Sequence, residues 1–520
     1  MVRPMLWRWL FCITVMLASR AALAADETGQ ALLDKATETK LSAENVADLN
    51  DVINLCESAI KAGLDEGNQK FANELLASTL AQRAEFICLE LFERPVTPRR
   101  GRALVQMALT DLERTLDLDS EQAQAQYLIG RLYSHLGERE KALKALDKAV
   151  SLTEREPAAR SKALVLRANL KQEPVDRLAD FDQAVKLSPH DADVVRFRGL
   201  FHLTQNRFEP AIADLDAAIA LDPKDADTYE ARGIAQSLAK KYDDAMESFN
   251  KTIELEPNSP AAYTHRARVR AVKGDAPEAM RDVEQALKLE PGSVQALQLH
   301  AMLLGSAGKF EQALSDLNVL RQAMPDNIEV LLQIALLYQA NKQPQKAAAT
   351  YSDVLLADAS NVTALRGRAD SLLNQGKQAE AVHDYEDALK GEPKDSGVLN
   401  NLAWVLATSP EGELRNGKRA IELAKLACEV TEYKQAHILS TLAASYAETG
   451  DFETAITWSK KAVEIGPDAL KGQLAKELES YQAQKPWREA IPPSDLAPES
   501  ADPEKSAAPE ETVRQAKRGS

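Results

Sequence analysis

The chain has 520 residues, of which 45% are hydrophobic and only 5% aromatic, and it carries a formal charge of −16. That charge argues against a general nucleic-acid role, because phosphate binding needs clustered basic side chains. Ala, Leu, Glu, Lys and Gln dominate, and these residues favour helices.

At the N-terminus, Arg3 and Arg8 flank the start of a mostly apolar run, Leu10–Ala18, and Ala22-Leu23-Ala24 fits a small-x-small cleavage site. This order reads as a signal peptide over residues 1–24, removed between Ala24 and Ala25. An uncleaved anchor is the other reading, although the apolar run is about half the ~20 residues that a membrane span needs. Cleavage removes Arg3, Arg8 and Arg20 and leaves a mature net charge of −19. No later segment is long and apolar enough to span a bilayer, so the mature chain is expected to be secreted or periplasmic. Cys56, Cys88 and Cys428 remain. Cys56 and Cys88 fall on successive antiparallel helices turning near Gly67. They are offset by roughly 15 Å at about 1.5 Å per residue, whereas a disulfide needs Cα atoms within about 7 Å. All three are therefore expected to be buried thiols.

Residues 25–122 read as an N-terminal helical cap, with a capping helix over 41–66 and a degenerate repeat near 71–122. From there the chain is periodic. Pro189, Pro223, Pro257, Pro291 and Pro325 recur every 34 residues, Ala359 takes the next slot and Pro393 the one after. Proline ends a helix because it lacks the N–H and restricts the residue before it. With that proline at position 32, position 8 is small: Gly130, Gly199, Gly233, Ala267, Ala301, Ala335, Ala369, Ala403 and Ala443. Position 20 is alanine in nine of the ten units, from Ala142 and Ala211 to Ala420 and Ala455. Gly137, Gly274, Gly308, Gly376 and Gly450 suit a left-handed cap between the two helices of a unit. Leu146, Leu215, Phe249, Leu317 and Tyr351 supply a large wedge at position 24. Ten units fill residues 123–469. The third unit overall, around 157–191, has a shortened turn, and the tenth carries about five extra residues within 407–418. Residues 470–485 read as a C-terminal capping helix. Residues 486–520, rich in Pro, Glu, Ser and Ala, read as a disordered tail.

A 34-residue period with these small and large columns resembles the tetratricopeptide-repeat family over residues 71–469. Asn400 to Pro410, Gly417 to Thr431, and Lys485-Pro-Trp-Arg-Glu489 are similar to a narrower group of bacterial secreted repeat proteins. The resemblance implies an all-α, right-handed superhelical solenoid of about eleven helix pairs, A and B, with ligands in a concave groove lined by the A helices.

Nothing in the sequence suggests catalysis, a cofactor or a metal. The seven histidines are scattered, and no phosphate-binding loop or nucleophile elbow is present. His265, His300 and His383 fall within repeat helices with ordinary packing or surface roles. One polar pattern recurs. Position 7 is Arg167, Arg198, Arg232, Arg266 and Arg368, and position 23 of the same units is Asp180, Asp214, Ser248, Asp282 and Asp384. His300 with Asp316 is an intermediate case. The covarying columns predict an ion pair between helices A and B, repeated along the stack; anion binding by the arginines is the alternative.

The expected function is a protein-binding scaffold that engages other proteins or peptides. An envelope assembly factor or a binder of cell-wall polysaccharide is the alternative, which would favour aromatic residues along the groove; only Trp404 and Tyr263 qualify. Groove-facing positions recur at 2, 5, 9 and 12 of helix A. In units seven to ten they include Gln298, Met302, Leu332, Leu336, Arg366, Asp370, Asn400 and Trp404. Asn401 adds position 6, where the family often has an asparagine that hydrogen-bonds a peptide backbone. Basic residues of the family's carboxylate clamp do not recur across three consecutive units. The expected ligand is therefore a segment with apolar anchors near Leu332, Leu336 and Trp404. Packing of Trp404 against its own chain is the competing expectation.

Overall fold

The computed structural model describes residues 28–489, and all of its regular structure is helical. The signal peptide and its cleavage site lie outside the described residues, as does 490–520 of the expected tail. The chain divides into two compact units, one ending at Val269 and one starting at Arg270.

In the first unit, a helix over 28–41 (α1) and α2 (Val46–Ala62) precede two long helices, α3 (Glu66–Glu93) and α4 (Pro98–Leu118). The region expected to hold a degenerate repeat is thus built from helices of 28 and 21 residues. Regular pairs follow: α5 (Ala123–His135) with α6 (Arg139–Leu152), α7 (Pro157–Leu170) with α8 (Pro174–Leu187), α9 (Ala192–Thr204) with α10 (Phe208–Leu221), and α11 (Ala226–Leu238) with α12 (Tyr242–Leu255). Next comes α13 (Pro260–Val272), and the second unit continues with α14 (Ala276–Leu289). Its pairs are α15 (Val294–Ser306) with α16 (Phe310–Ala323), α17 (Ile328–Ala340) with α18 (Pro344–Ala357), and α19 (Val362–Leu373) with α20 (Gln378–Gly391). They continue with α21 (Ser396–Thr408) and α22 (Gly417–Val430), then α23 (Ala436–Glu448) and α24 (Phe452–Ile465), before α25 (Asp468–Gln482) closes the series. The expected all-α helical-repeat architecture is what both units have.

The sequence columns explain why each pair closes. The position-20 alanines, including Ala142, Ala211, Ala313, Ala381 and Ala455, are fully buried. The wedges Leu146, Leu215, Phe249, Leu317 and Tyr351 are buried as well. A Cβ at Gly130 would lie 2.6 Å from Leu146, and one at Gly233 would lie 2.7 Å from the Phe249 ring. Position 8 is small because the wedge leaves no room there. Cys56, Cys88 and Cys428 are buried free thiols, and burial pushes their pKa values up to about 11, 11 and 12.

The turn inside each pair from α5 to α24, except α7 with α8 and α21 with α22, takes one left-handed residue. Gly137, Gly274, Gly308, Gly376 and Gly450 have φ between 73° and 84°, and Asn206, Lys240 and Lys342 hold the same slot at 56°, 61° and 53°. A side chain there costs about 1–2 kcal/mol, partly offset because glycine loses more freedom on folding. Lys240→Gly is therefore expected to stabilise the first unit by about 0.5–1 kcal/mol, read by thermal unfolding. A lower melting temperature would contradict this account of the turn.

The arginine–aspartate columns are real ion pairs. Arg167 grips Asp180 through Nε and Nη2, both at 2.8 Å, Arg198 grips Asp214 at 2.8 and 2.7 Å, and Arg368 grips Asp384 at 2.6 and 2.7 Å. The third donor, Nη1, reaches the preceding B helix: Arg167 meets Asp147, Arg198 meets Asp182, Arg232 meets Asp216 and Arg368 meets Ser352. Each guanidinium thus joins three helices. Arg232, lacking the aspartate, donates to the Ser248 hydroxyl at 3.0 Å. Arg266 and Asp282 fall on opposite sides of the division; Arg266 donates to Asn250 in the first unit, and Asp282 holds Arg270 in the second. His300 meets Asp316 at 2.8 Å. A further clamp, Arg83 on Asp111, ties α3 to α4 outside the periodic columns.

Candidate partner-binding groove

The groove residues fall in two rows on four successive A helices of the second unit. Position 5 is Gln298, Leu332, Arg366 and Asn400 on α15, α17, α19 and α21; position 9 is Met302, Leu336, Asp370 and Trp404. Positions five and nine are one turn apart and share a helix face. Small residues at position 8 turn the opposite face onto the B helices.

The rows have two chemically different halves. Met302 and Leu336 are 53% and 52% exposed on neighbouring A helices, with Leu332 half-buried one turn before Leu336. Two large side chains left half in water at the same register form an apolar strip that the described residues leave exposed. Gln298 on its flank donates to Glu329 at 3.3 Å.

The other half is largely engaged by its own chain. Arg366 is exposed and donates to Asp395 at 3.1 Å. Asp370 accepts from the Tyr385 hydroxyl and, at 3.1 Å, from the Asn401 amide, which also donates to the Tyr385 oxygen at 3.3 Å. Burial, then the nearby Asp370 carboxylate, push the Tyr385 phenol well above its ordinary pKa. Asn401 also accepts from Asn400 at 3.2 Å. Its amide could reach a peptide backbone only by giving up these bonds.

Trp404 is engaged by its own chain. Its indole N–H donates to the Glu489 carboxylate at 2.7 Å, and the Glu489 backbone N–H donates to the Thr408 carbonyl at 3.0 Å. Trp487 packs on the buried core of the last repeats. Arg488 donates to the Ala407 carbonyl at 3.3 Å and pairs with Glu448 at 2.6 Å. Arg415, within the tenth unit's insertion, grips the same Glu448 at 3.0 Å and the Ser409 carbonyl at 2.9 Å. Residues 486–489, expected as the start of the tail, are thus a strap, and the insertion is its counterpart. Their meeting point, Glu448, was not among the expected site residues; the Pro-Trp-Arg-Glu stretch was the one signal pointing to it. Ending the chain after Glu489 is expected to leave thermal unfolding unchanged. Ending it after Gln484 is expected to cost the last pairs about 2 kcal/mol, from lost apolar burial and a half-unpaired Glu448. Equal stability of the two truncations would show that the strap holds nothing.

Among the described residues, no three His, Cys, Asp or Glu side chains are grouped to hold a metal ion, and no helix is long and apolar enough to cross a membrane.

One family model described as tetratricopeptide repeat matches residues 178–226, 231–296, 332–397 and 366–432, and a second with the same description matches 123–156 and 436–468. Together they span more than half of the chain. No curated protein matches the sequence. Among solved structures, yeast Tom70 aligns over 88% of this chain and 96% of its own, at 16% identity and a TM-score of 0.36. A tetratricopeptide repeat protein from Parabacteroides merdae ATCC 43184 aligns over 54% of this chain and 97% of its own, at 16% identity and a TM-score of 0.36. YrrB, described as a TPR protein with an unusual peptide-binding site, aligns over 36% of this chain and 95% of its own, at 19% identity and a TM-score of 0.30.

Proposed function

Because the chain belongs to the tetratricopeptide-repeat family, whose helix-pair stacks are protein-interaction scaffolds, we propose that it captures a partner polypeptide on the A-helix face of its second unit. The observation that carries this reading is the apolar strip of Met302, Leu332 and Leu336. Exposed apolar residues aligned at one register are an interaction surface when nothing in the fold covers them, and amphipathic or extended segments bind such faces through periodic apolar anchors. Arg366 and Gln298 lie at the strip's two ends and fix the segment's register. The anchor role moves from Trp404, whose edge is occupied by Glu489, to Met302 and Leu336.

Leu336→Asp places a charge in the strip at an exposed position, so helicity and melting temperature should hold while partner capture falls at least tenfold. Capture is read by crosslinking the full chain in its native envelope fraction and identifying adducts by mass spectrometry. Undiminished capture by Leu336→Asp, at wild-type stability, would sink the assignment. We also propose a secreted or periplasmic location, on the positive–apolar–small order of residues 1–24. N-terminal sequencing of protein from its native host should find Ala25 first; a chain starting at Met1 would overturn it.

A further inference from the structure

Beyond Trp404 the A-helix face ends in a cavity of about 210 Å³ between α21, α23 and α25. Its wall is rich in acceptors. Glu477 is 1% exposed, accepts from Ser440 and from Gln473 at 3.0 Å, and has no cation within ion-pairing distance among the described residues. Arg488, which could have served, is committed to Glu448.

An independent observation points the same way. The Asn400 carbonyl oxygen, on the same wall, is enclosed and has no hydrogen-bond donor. Its orientation follows from the network around it. Asn401 spends its amide hydrogens on Asp370 and Tyr385, so its oxygen faces Asn400, and Asn400 must answer with N–H. The Asn400 oxygen is thereby left over. A buried acceptor without a donor costs about 1–3 kcal/mol, and a buried carboxylate without a cation costs more. The Trp404 indole on the same wall offers a π-system that favours cations.

We propose that this cavity receives the ammonium or guanidinium of a lysine or arginine side chain carried by the bound polypeptide. The cation pairs with Glu477, donates to the Asn400 carbonyl, and lays its alkyl stem against Trp404. Burial raises the Glu477 carboxyl pKa against the hydrogen bonds from Ser440 and Gln473, and an entering cation would favour the carboxylate. Glu489, bonded to the Trp404 indole, is a second carboxyl at that edge. His437, which also lines the cavity, has its imidazolium disfavoured by desolvation.

This inference rests on the polypeptide-capture reading and supplies the partner's basic anchor. Its test is calorimetric titration of the full chain with n-butylammonium, n-butylguanidinium and tetramethylammonium. At least one of the first two should bind with 1:1 stoichiometry, and tetramethylammonium, which has charge but no N–H, should not. Glu477→Gln, which keeps the shape of the side chain, should weaken binding at least tenfold at unchanged melting temperature. If that variant fails to fold, Asn400→Ala carries the same expectation. A nonapeptide with one central lysine should bind at least tenfold more tightly than n-butylammonium, and its acetyl-lysine counterpart should not bind. No 1:1 binding by either cation, or equal binding by the variants, overturns the proposal; a peptide no tighter than the free amine overturns its assignment to a polypeptide. Cation binding does not involve Leu336. Failure here with capture still sensitive to Leu336→Asp therefore refutes the cavity alone, and the converse refutes the apolar strip alone.

Discussion

Asp180→Ala is expected to destabilise the first unit by about 1–3 kcal/mol, the cost of leaving Arg167 Nε and Nη2 without their acceptor while Nη1 keeps Asp147. The Asp180 side chain is 5% exposed and holds two cations, Arg167 at 2.8 Å and Lys171 at 2.9 Å. Lys171 can turn to solvent; Arg167, 16% exposed and wedged between α7 and the neighbouring B helices, cannot. Arg167→Met with Asp180→Leu together should recover most of the loss, because a well-packed apolar pair replaces a buried ion pair with little penalty. Urea unfolding followed by circular dichroism reads the effect in the earliest transition, since stacked repeats need not unfold as one. A loss below about 1 kcal/mol for Asp180→Ala would make the clamp an ordinary solvated pair.

Gly367→Ala is expected to cost the second unit about 2–3 kcal/mol by overpacking. The added Cβ would sit 2.2 Å from Cζ of the Tyr351 ring, which is fully buried. The ring is also tethered: its hydroxyl donates to Gln339 at 2.7 Å, and the Gln339 amide donates to the Gly367 carbonyl at 3.1 Å. Moving the ring breaks its bond to Gln339, the residue whose amide holds α17 to α19. Tyr351→Leu installs the residue found at that column in Leu146, Leu215 and Leu317, and Gly367→Ala should cost less in that background. Equal costs in both backgrounds would show that the ring is not the obstacle.

These cases show what could be read from the sequence. The 34-residue columns placed the helix pairs, the position-8 glycines and the Arg–Asp clamps, because each reports a contact repeated at a fixed offset. The left-handed slot was visible only where glycine fills it; Lys240 and Lys342 take the same φ because the turn demands it, and lysine gives no outward sign of that. Arg83 with Asp111 escaped notice since α3 and α4 are longer than the repeat. Trp404 reads as groove-facing from its position, but its partner Glu489 is 85 residues away. The strap occurs once, so no periodicity could connect the two. The same holds for Asn401, whose amide is taken up by Asp370 and Tyr385 from different helices.

The most direct test of the account is site-specific photo-crosslinking of the full chain in cells of its native host, with the photoreactive residue placed at 336 or, separately, at 319. Leu336 lies on the A-helix strip, and Val319 is a comparably exposed apolar residue on a B helix, α16. The account predicts that position 336 yields a discrete polypeptide adduct, competed by the unlabelled chain and lost in a Met302→Asp background, whereas position 319 yields none. Adducts from 319 equal to those from 336, or from 336 unaffected by Met302→Asp, would contradict it.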